Sequence, residues 1–304
     1  MKTRTLTTEL EIPYLGFGTY LISNADVAGV VAEAIRAGYR HIDTAEGYQN
    51  ESGVGAGIRQ ALESENLARG DLFVTTKLWP GNPAWGQPAK TTQSTVTSLE
   101  ASLERLGLNY VDLYLIHAPY DRDQRLAQWR GLVELKRQGK ARAIGVSNFS
   151  IKHIEELKAA GLPVPAANQI ELHPWSQKPD LVRYLDDNAI TPIAYSSLVP
   201  LATWRTGEGQ NSAKTDQMKA DGEHADAPFK VMAKKYGVSE AQVLLRWAVQ
   251  KGYPVLPRSI RADRIRNNAD IFGFQIDAAD MAAIEGMDRG DGVAWAIGDP
   301  TKAP

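Results

Sequence analysis

A carboxylate, a phenol, an amine and an imidazole punctuate the first half of the chain: Asp43, Tyr48, Lys77 and His117. Together they suit one kind of chemistry, the delivery of a proton to an oxygen that is gaining electron density. A carbonyl that accepts hydride at carbon needs such a proton. A free tyrosine has a pKa of roughly 10, so near neutrality it holds its proton but gives it up reluctantly. A lysine ammonium alongside lowers that value, and a carboxylate keeps the ammonium charged and in place. A histidine can hydrogen-bond the carbonyl oxygen and fix its approach. Taken singly, the four have plainer readings. Asp43 and Lys77 could be a buried ion pair, His117 a satisfied core histidine and Tyr48 a surface aromatic. Lys77 alone could also serve a Schiff-base aldolase. Their joint placement favours proton delivery.

The placement follows from the elements that carry them. Short apolar or β-branched runs cover Leu15–Gly18, Arg40–Ile42, Leu72–Thr76, Val111–Ile116, Ala141–Val146, Ala167–Ile170, Thr191–Tyr195 and Pro254–Leu256. Runs this short and apolar fit parallel strands buried on both faces. Amphipathic stretches separate them. Val27, Val30, Val31, Ala34 and Ile35 share one helical face ahead of Gly38, and Val96, Leu99, Leu103 and Leu106 share another. The alternation predicts an α/β fold: one (β/α)8 TIM barrel over residues 1–304. In such barrels the site lies at the C-terminal ends of the strands. Asp43 follows the second strand, Lys77 the third and His117 the fourth, with Tyr48 in the loop after Asp43. A doubly wound open sheet is the rival. Its only phosphate-turn candidate, Gly16-Phe17-Gly18, lacks the third glycine and does not open a helix. Two stretches fall outside the repeat. Thr3–Thr8 and Glu9–Ile12 suggest a short N-terminal hairpin. Residues 204–227 read as a long polar loop after the seventh strand, either a lid or a tolerated insertion.

The bulk properties exclude several classes. A net charge of −2 does not suit a non-specific nucleic-acid binder. Cysteine is absent, so there are no disulfides or thiolate metal sites. The other histidines show no metal-ligand spacing, and no metal is expected. The N-terminal residues carry no signal-length apolar core, and no run is apolar for the length of a membrane span. A cytoplasmic, monomeric protein without membrane contacts is expected.

Nine segments carry a family resemblance: LGFGTY, HIDTAEGYQNE, VTTKLW, YVDLYLIHAP, AIGVSNF, NQIELHP, IAYSSL, LLRWAVQKGYPVLPRSI and RIRNNADIFGF. In combination they resemble the aldo-keto reductases along nearly the whole chain. The resemblance implies a (β/α)8 barrel that binds NADPH in an extended form. It implies the tetrad Asp43, Tyr48, Lys77 and His117, acting in NADPH-dependent reduction of aldehydes and ketones. Ser147, Asn148 and Gln169 would hold the nicotinamide carboxamide, for which amides and hydroxyls are suited as donors and acceptors. Tyr195 would stack on its ring. Gly18, Thr19 and Tyr20 would pass close to the same end, and Ser196 and Leu198 would lie over the pyrophosphate. Pro257, Arg258, Ser259 and Arg264 would surround the 2′-phosphate, for which arginine is a good partner. Asn267 and Asn268 match the adenine contacts. Arg261 and Arg266 could equally be a solvated face.

The chain departs from the family pattern in places. Arg258 stands where lysine is usual and Asn267 where glutamate is common. Ala118 and Tyr20 replace frequent tryptophans on the substrate side. Tyr20, Tyr48, Trp79, His117 and Trp295 are the expected substrate contacts. Trp85, Trp175, Val293 and Ile297 are further candidate walls for an apolar or ring-bearing carbonyl compound. The alternative is a regulatory, partner-binding module on the same barrel that binds NADPH with little turnover; the intact tetrad weighs against it.

Overall fold

The structure, a computed structural model, describes residues 2–201, 203–205, 227–290, 292–295 and 298–304. The chain opens with an antiparallel hairpin, β1 (Thr3–Thr7) and β2 (Leu10–Pro13). Seven parallel strands follow in chain order: β3 (Gly16–Gly18), β4 (His41–Asp43), β5 (Phe73–Leu78), β6 (Val111–Ile116), β7 (Ala141–Ser147), β8 (Ala167–Glu171) and β9 (Thr191–Tyr195). Their interiors are buried on both faces, as their apolar runs predicted.

The sheet curls into an α/β barrel, and its two edges meet at one residue. Val255 bridges in parallel to Leu15 and to Ala194. Its amide donates to the Tyr14 carbonyl, and its carbonyl accepts from Gly16, both at 2.8 Å. The expected eighth strand over Pro254–Leu256 is therefore reduced to a bridge. Pro254 and Pro257 cause this: neither has an N–H to extend a ladder. β6 and β9 have the expected boundaries, the other strands move by a residue or two, and β5 and β7 run further than expected, to Leu78 and Ser147.

The helices around the sheet are α1 (Val27–Arg36), α2 (Glu51–Ser64), α3 (Thr92–Leu106), α4 (Arg125–Arg137), α5 (Ile151–Ala159), α6 (Pro179–Asp187), α7 (Pro228–Tyr236), α8 (Glu240–Gln250), α9 (Ala262–Ala269) and α10 (Ala278–Glu285). Their ends are written in the sequence. Thr91, Ser150 and Ser239 cap α3, α5 and α8, each accepting an amide of the first turn. Gly107 ends α3 in the left-handed region. Of the predicted face of α1, Val27, Val31, Ala34 and Ile35 are buried and Val30 is half-buried. No helix among the described residues is long and apolar enough to cross a membrane.

The hairpin closes the barrel at the N-terminal ends of its strands. Leu6, Leu10 and Ile12 pack with Phe73, Leu113, Leu115, Ala143, Ala167, Ile193 and Leu256. This leaves the C-terminal ends as the mouth. Residues 206–226, most of the expected loop after the seventh strand, lie outside the described residues.

Candidate active site

The strand register brings three tetrad members to one rim. Asp43 is the last residue of β4, Lys77 is next to last in β5, and His117 follows β6, its amide donating to the Leu78 carbonyl at 3.0 Å. Tyr48 arrives from a short 3-10 turn over Glu46–Tyr48. Lys77 is fully buried, and its ammonium has three partners. It donates to Asp43 Oδ1 at 2.6 Å, to the Thr44 carbonyl at 2.9 Å and to Tyr48 Oη at 3.2 Å. All three N–H groups are thus committed, a poor starting point for Schiff-base chemistry. The Asp43 carboxylate is held on its other oxygen by Gln169 Nε2 at 2.8 Å. The rings of Tyr48 and His117 meet edge-on, with centroids 5.5 Å apart.

Electrostatics sharpen these roles and correct one expectation. The Tyr48 phenol is not lowered, and the opposing charge of Arg205 is outweighed. Burial, then the Asp43 charge, pushes the phenol well above the ordinary tyrosine value. Tyr48 therefore keeps its proton at any ordinary pH. Burial also lowers Lys77, opposed by its charge and hydrogen-bond contacts with Asp43. His117 lies well below its usual value because it is buried and then because Lys77 is near. It is a neutral imidazole, able to donate from one nitrogen and accept at the other. Its Nδ1 is buried without a hydrogen-bond partner among the described residues.

The amide group expected beside the tetrad is assembled. Asn148 Nδ2 donates to the His117 carbonyl at 3.0 Å and to Ser147 Oγ at 3.1 Å, and Ser147 Oγ donates to the Gln169 carbonyl at 2.8 Å. Asn148 has φ +62°, a left-handed conformation that asparagine tolerates better than most residues. The Tyr195 hydroxyl donates to Asn148 Oδ1 at 2.7 Å and accepts from Trp295 Nε1 at 2.8 Å. Thr19, buried, ties β3 to the Asp43 carbonyl at 3.1 Å. Gly18 donates its amide to the Pro257 carbonyl at 3.1 Å, and Ser196 and Leu198 lie half-buried just beyond β9.

The arginines after Val255 separate into two kinds. Arg261 pairs with Asp263 and Arg266 with Glu33, both in exposed ion pairs. Their plainer reading as a solvated face is the better one. Arg264 is exposed and has no carboxylate partner among the described residues. Arg258 donates to the Leu21 carbonyl, but its Nε is buried and has no hydrogen-bond partner among the described residues. Ser259 and Asn268 are buried beside them, and Asn267 is exposed.

A family model, the Aldo/keto reductase family, matches residues 14–289. The chain belongs to this family. Glyoxal reductase of Bacillus subtilis is 38% identical over 288 residues, which are 93% of this chain and 92% of the relative. Methylglyoxal reductase of Escherichia coli is 36% identical, covering 92% of this chain and 90% of the relative. Among solved structures, a Bombyx mori aldo-keto reductase in complex with NADP superposes with a TM-score of 0.82 at 34% identity, covering 95% and 93% of the two chains.

In this aldo/keto reductase the mouth is walled by aromatics, some expected and some not. Trp79 stands edge-on to His117 at 5.7 Å, and Trp295 approaches the same ring at 6.0 Å. Trp85 stacks on Trp79 at 5.9 Å, and Tyr20 lies 5.0 Å from Tyr48. Trp175 does not join them. It is buried beneath Arg289, 3.8 Å from its ring, and lines a separate cavity of about 350 Å³ with Pro200, Phe229 and Met287. Ile297 lies outside the described residues. Sequence reading missed Tyr120, which touches Trp79, Trp85 and Trp295. The spacing of YLIHAPY, three residues past His117, was the available signal. It also missed Arg205, whose guanidinium covers the Tyr20 ring at 5.4 Å and donates to the Ala294 carbonyl at 2.5 Å. No local pattern marks that residue.

Proposed function

We propose that this protein reduces aldehydes and ketones to alcohols with NADPH, and that Tyr48 supplies the proton. The observation that carries the reading is the Tyr48 hydroxyl. It is the phenol of a half-buried residue, 3.2 Å from the Lys77 ammonium and facing a neutral His117. The glyoxal and methylglyoxal reductases among the relatives support carbonyl substrates.

The residues present suit an NADP cofactor, as the NADP complex of the Bombyx mori relative supports. The buried Arg258 Nε, without a hydrogen-bond partner among the described residues, would be satisfied by an anionic group. Asn148, Ser147 and Gln169 would hold the carboxamide, and Tyr195 would cover the ring. Thr19, Tyr20, Ser196 and Leu198 would follow its length, and Pro257, Arg258, Ser259 and Arg264 would receive the 2′-phosphate. When bound, the nicotinamide supplies the hydride.

The protein's own residues do the rest. His117, neutral and fixed between Trp79 and Trp295, hydrogen-bonds the carbonyl oxygen and aims it at Tyr48. Tyr48 Oη donates its proton as negative charge develops on that oxygen. Lys77, anchored by Asp43 and Thr44, holds the phenolate left behind until solvent reprotonates it. The aromatic wall excludes water and favours apolar or ring-bearing carbonyls.

The test follows NADPH oxidation by absorbance against a panel of aldehydes and ketones, with wild type and Tyr48→Phe side by side. Turnover in the wild type that drops by about 10²- to 10⁴-fold in the variant, with NADPH still bound, supports the assignment. Near-native turnover in the variant removes Tyr48 from the role.

A further inference from the structure

We propose that Glu171 is a positioning residue for the substrate pocket: it latches residues 292–295 so that Trp295 stands against His117. The proposal rests on the reductase reading above. Glu171 ends β8 and sits in register with Tyr195 of β9. It is two residues past Gln169, so the two side chains leave the same face of the strand. Gln169 ties Asp43, whereas Glu171 makes no hydrogen bond to the tetrad. Its carboxylate, in a residue only 2% exposed, accepts from the amides of Val293 at 2.7 Å and Ala294 at 3.0 Å, with His173 Nε2 at 2.8 Å.

A buried carboxylate is costly unless it is fully hydrogen-bonded. Burial pushes Glu171 up, but His173 and then the two amides outweigh it and hold the acid below its ordinary value. Those two amides belong to a segment with no strand or helix of its own. Gly292 fits the latch closely, since a Cβ there would lie 2.5 Å from Glu171 Oε2. Asp299 takes the Gly292 amide at 3.0 Å and pairs with Lys178. Arg205 holds the Ala294 carbonyl from the other side.

The next residue is Trp295. Its indole donates to Tyr195, Tyr195 to Asn148, and Asn148 to the carbonyl of His117. Its ring meets His117 at 6.0 Å and 81°. The latch therefore sets one wall of the pocket and one end of a hydrogen-bond chain that reaches the backbone carbonyl of His117. Losing it should move the wall and leave the proton donor intact.

The experiment compares Glu171→Gln, Trp295→Phe and the double variant on two substrates, glyoxal and 4-nitrobenzaldehyde. Each single change should raise KM for the aryl aldehyde about tenfold and leave kcat within about threefold, the loss expected for one or two hydrogen bonds to a charged acceptor. Glyoxal, too small to lean on Trp295, should be affected far less than the aryl aldehyde. The double variant should be no worse than the worse single one, because both act through one wall. Multiplying effects, or an equal kcat loss on both substrates, would overturn the latch. Hydrogen exchange at the Val293 and Ala294 amides gives a readout that needs no turnover: it should quicken in Glu171→Gln, and unchanged exchange overturns the proposal. A wild type that reduces no carbonyl would sink the reductase reading alone, leaving exchange to decide the latch. If Glu171→Gln fails to fold, Gly292→Ala displaces the same carboxylate sterically and should give the same KM pattern.

Discussion

The two ends of the barrel are built from the same strands and share almost no chemistry. Phe73 and Lys77 both belong to β5, and Ala167 and Gln169 both belong to β8. At the N-terminal end the inward residues are apolar and meet Leu6, Leu10 and Ile12 of the hairpin. At the C-terminal end, within a few residues, they become Asp43, Lys77, Gln169 and Glu171. All four are buried and tied by hydrogen bonds, because an unpaired polar group there would be costly. One end can therefore hold the sheet closed while the other keeps groups poised for reaction. Substitutions at the two ends should separate activity from stability.

The largest effect belongs to the mouth. Lys77→Met removes the charge that stabilises the Tyr48 phenolate, and turnover should fall by about 10²- to 10⁴-fold. It also leaves the Asp43 carboxylate buried without its cation, so stability should fall by about 3–5 kcal/mol. Steady-state kinetics and urea unfolding on one preparation check both. A Lys77→Met enzyme with ordinary turnover would mean that the ion pair only closes the barrel.

At the opposite end the pattern should reverse. Ile12 is fully buried in the plug. Ile12→Ala should cost about 2–5 kcal/mol in unfolding free energy, the usual range for such a cavity. kcat/KM should stay near native, since no plug residue touches the tetrad. A large fall in kcat/KM with little change in stability would show that the two ends are coupled.

How much of this was legible in the sequence depends on what encodes each contact. The rim positions of Asp43, Lys77 and His117 follow from counting along short apolar runs, and the strand register then makes the Asp43–Lys77 pair. The hairpin was legible in place, and the end of α1 from Gly38, which takes a positive φ there. The eighth strand was legible in place but not in extent, since Pro254 and Pro257 limit it through hydrogen bonds they cannot make. Glu171 was hidden for a different reason. Apart from His173, its partners are backbone amides more than a hundred residues away, and a backbone amide has no sequence signal. Trp175 and Trp295 looked alike as tryptophans near the mouth. Only packing separates the one beneath Arg289 from the one against His117.

Acid should weaken the barrel partly through His41, which lies between its two ends. His41 is buried on β4, with Nε2 at 2.9 Å from Thr75 Oγ1 and its ring against Phe73. Burial, and then the Lys77 charge, lowers it to about 3. The unfolded chain takes up a proton below about 6.5 and the folded chain does not, so stability falls as pH drops from about 6.5 towards 3. His41 should contribute about 1.4 kcal/mol per pH unit across that window. Urea unfolding at several pH values should give His41→Asn a shallower slope than wild type. Parallel slopes would mean that His41 takes up its proton in the folded state as well.

The smallest effect divides the mouth itself. Arg264 and Arg261 are both exposed cations near α9, but Arg261 is already paired with Asp263. If Arg264 receives the 2′-phosphate, Arg264→Ala should weaken NADPH by roughly 10- to 100-fold, as expected for lost charge-assisted hydrogen bonds, and leave NADH nearly unchanged. Arg261→Ala should move neither cofactor by more than about twofold, since an exposed ion pair contributes little. Fluorescence titration of both nucleotides at one fixed ionic strength decides it, because the general attraction of a basic surface would otherwise add to the result. Equal losses of NADPH and NADH in Arg264→Ala would place that side chain away from the phosphate. An Arg261→Ala loss as large as that of Arg264→Ala would mean that the Asp263 pair opens to receive the ligand, and the contrast between a free and a committed arginine would fail.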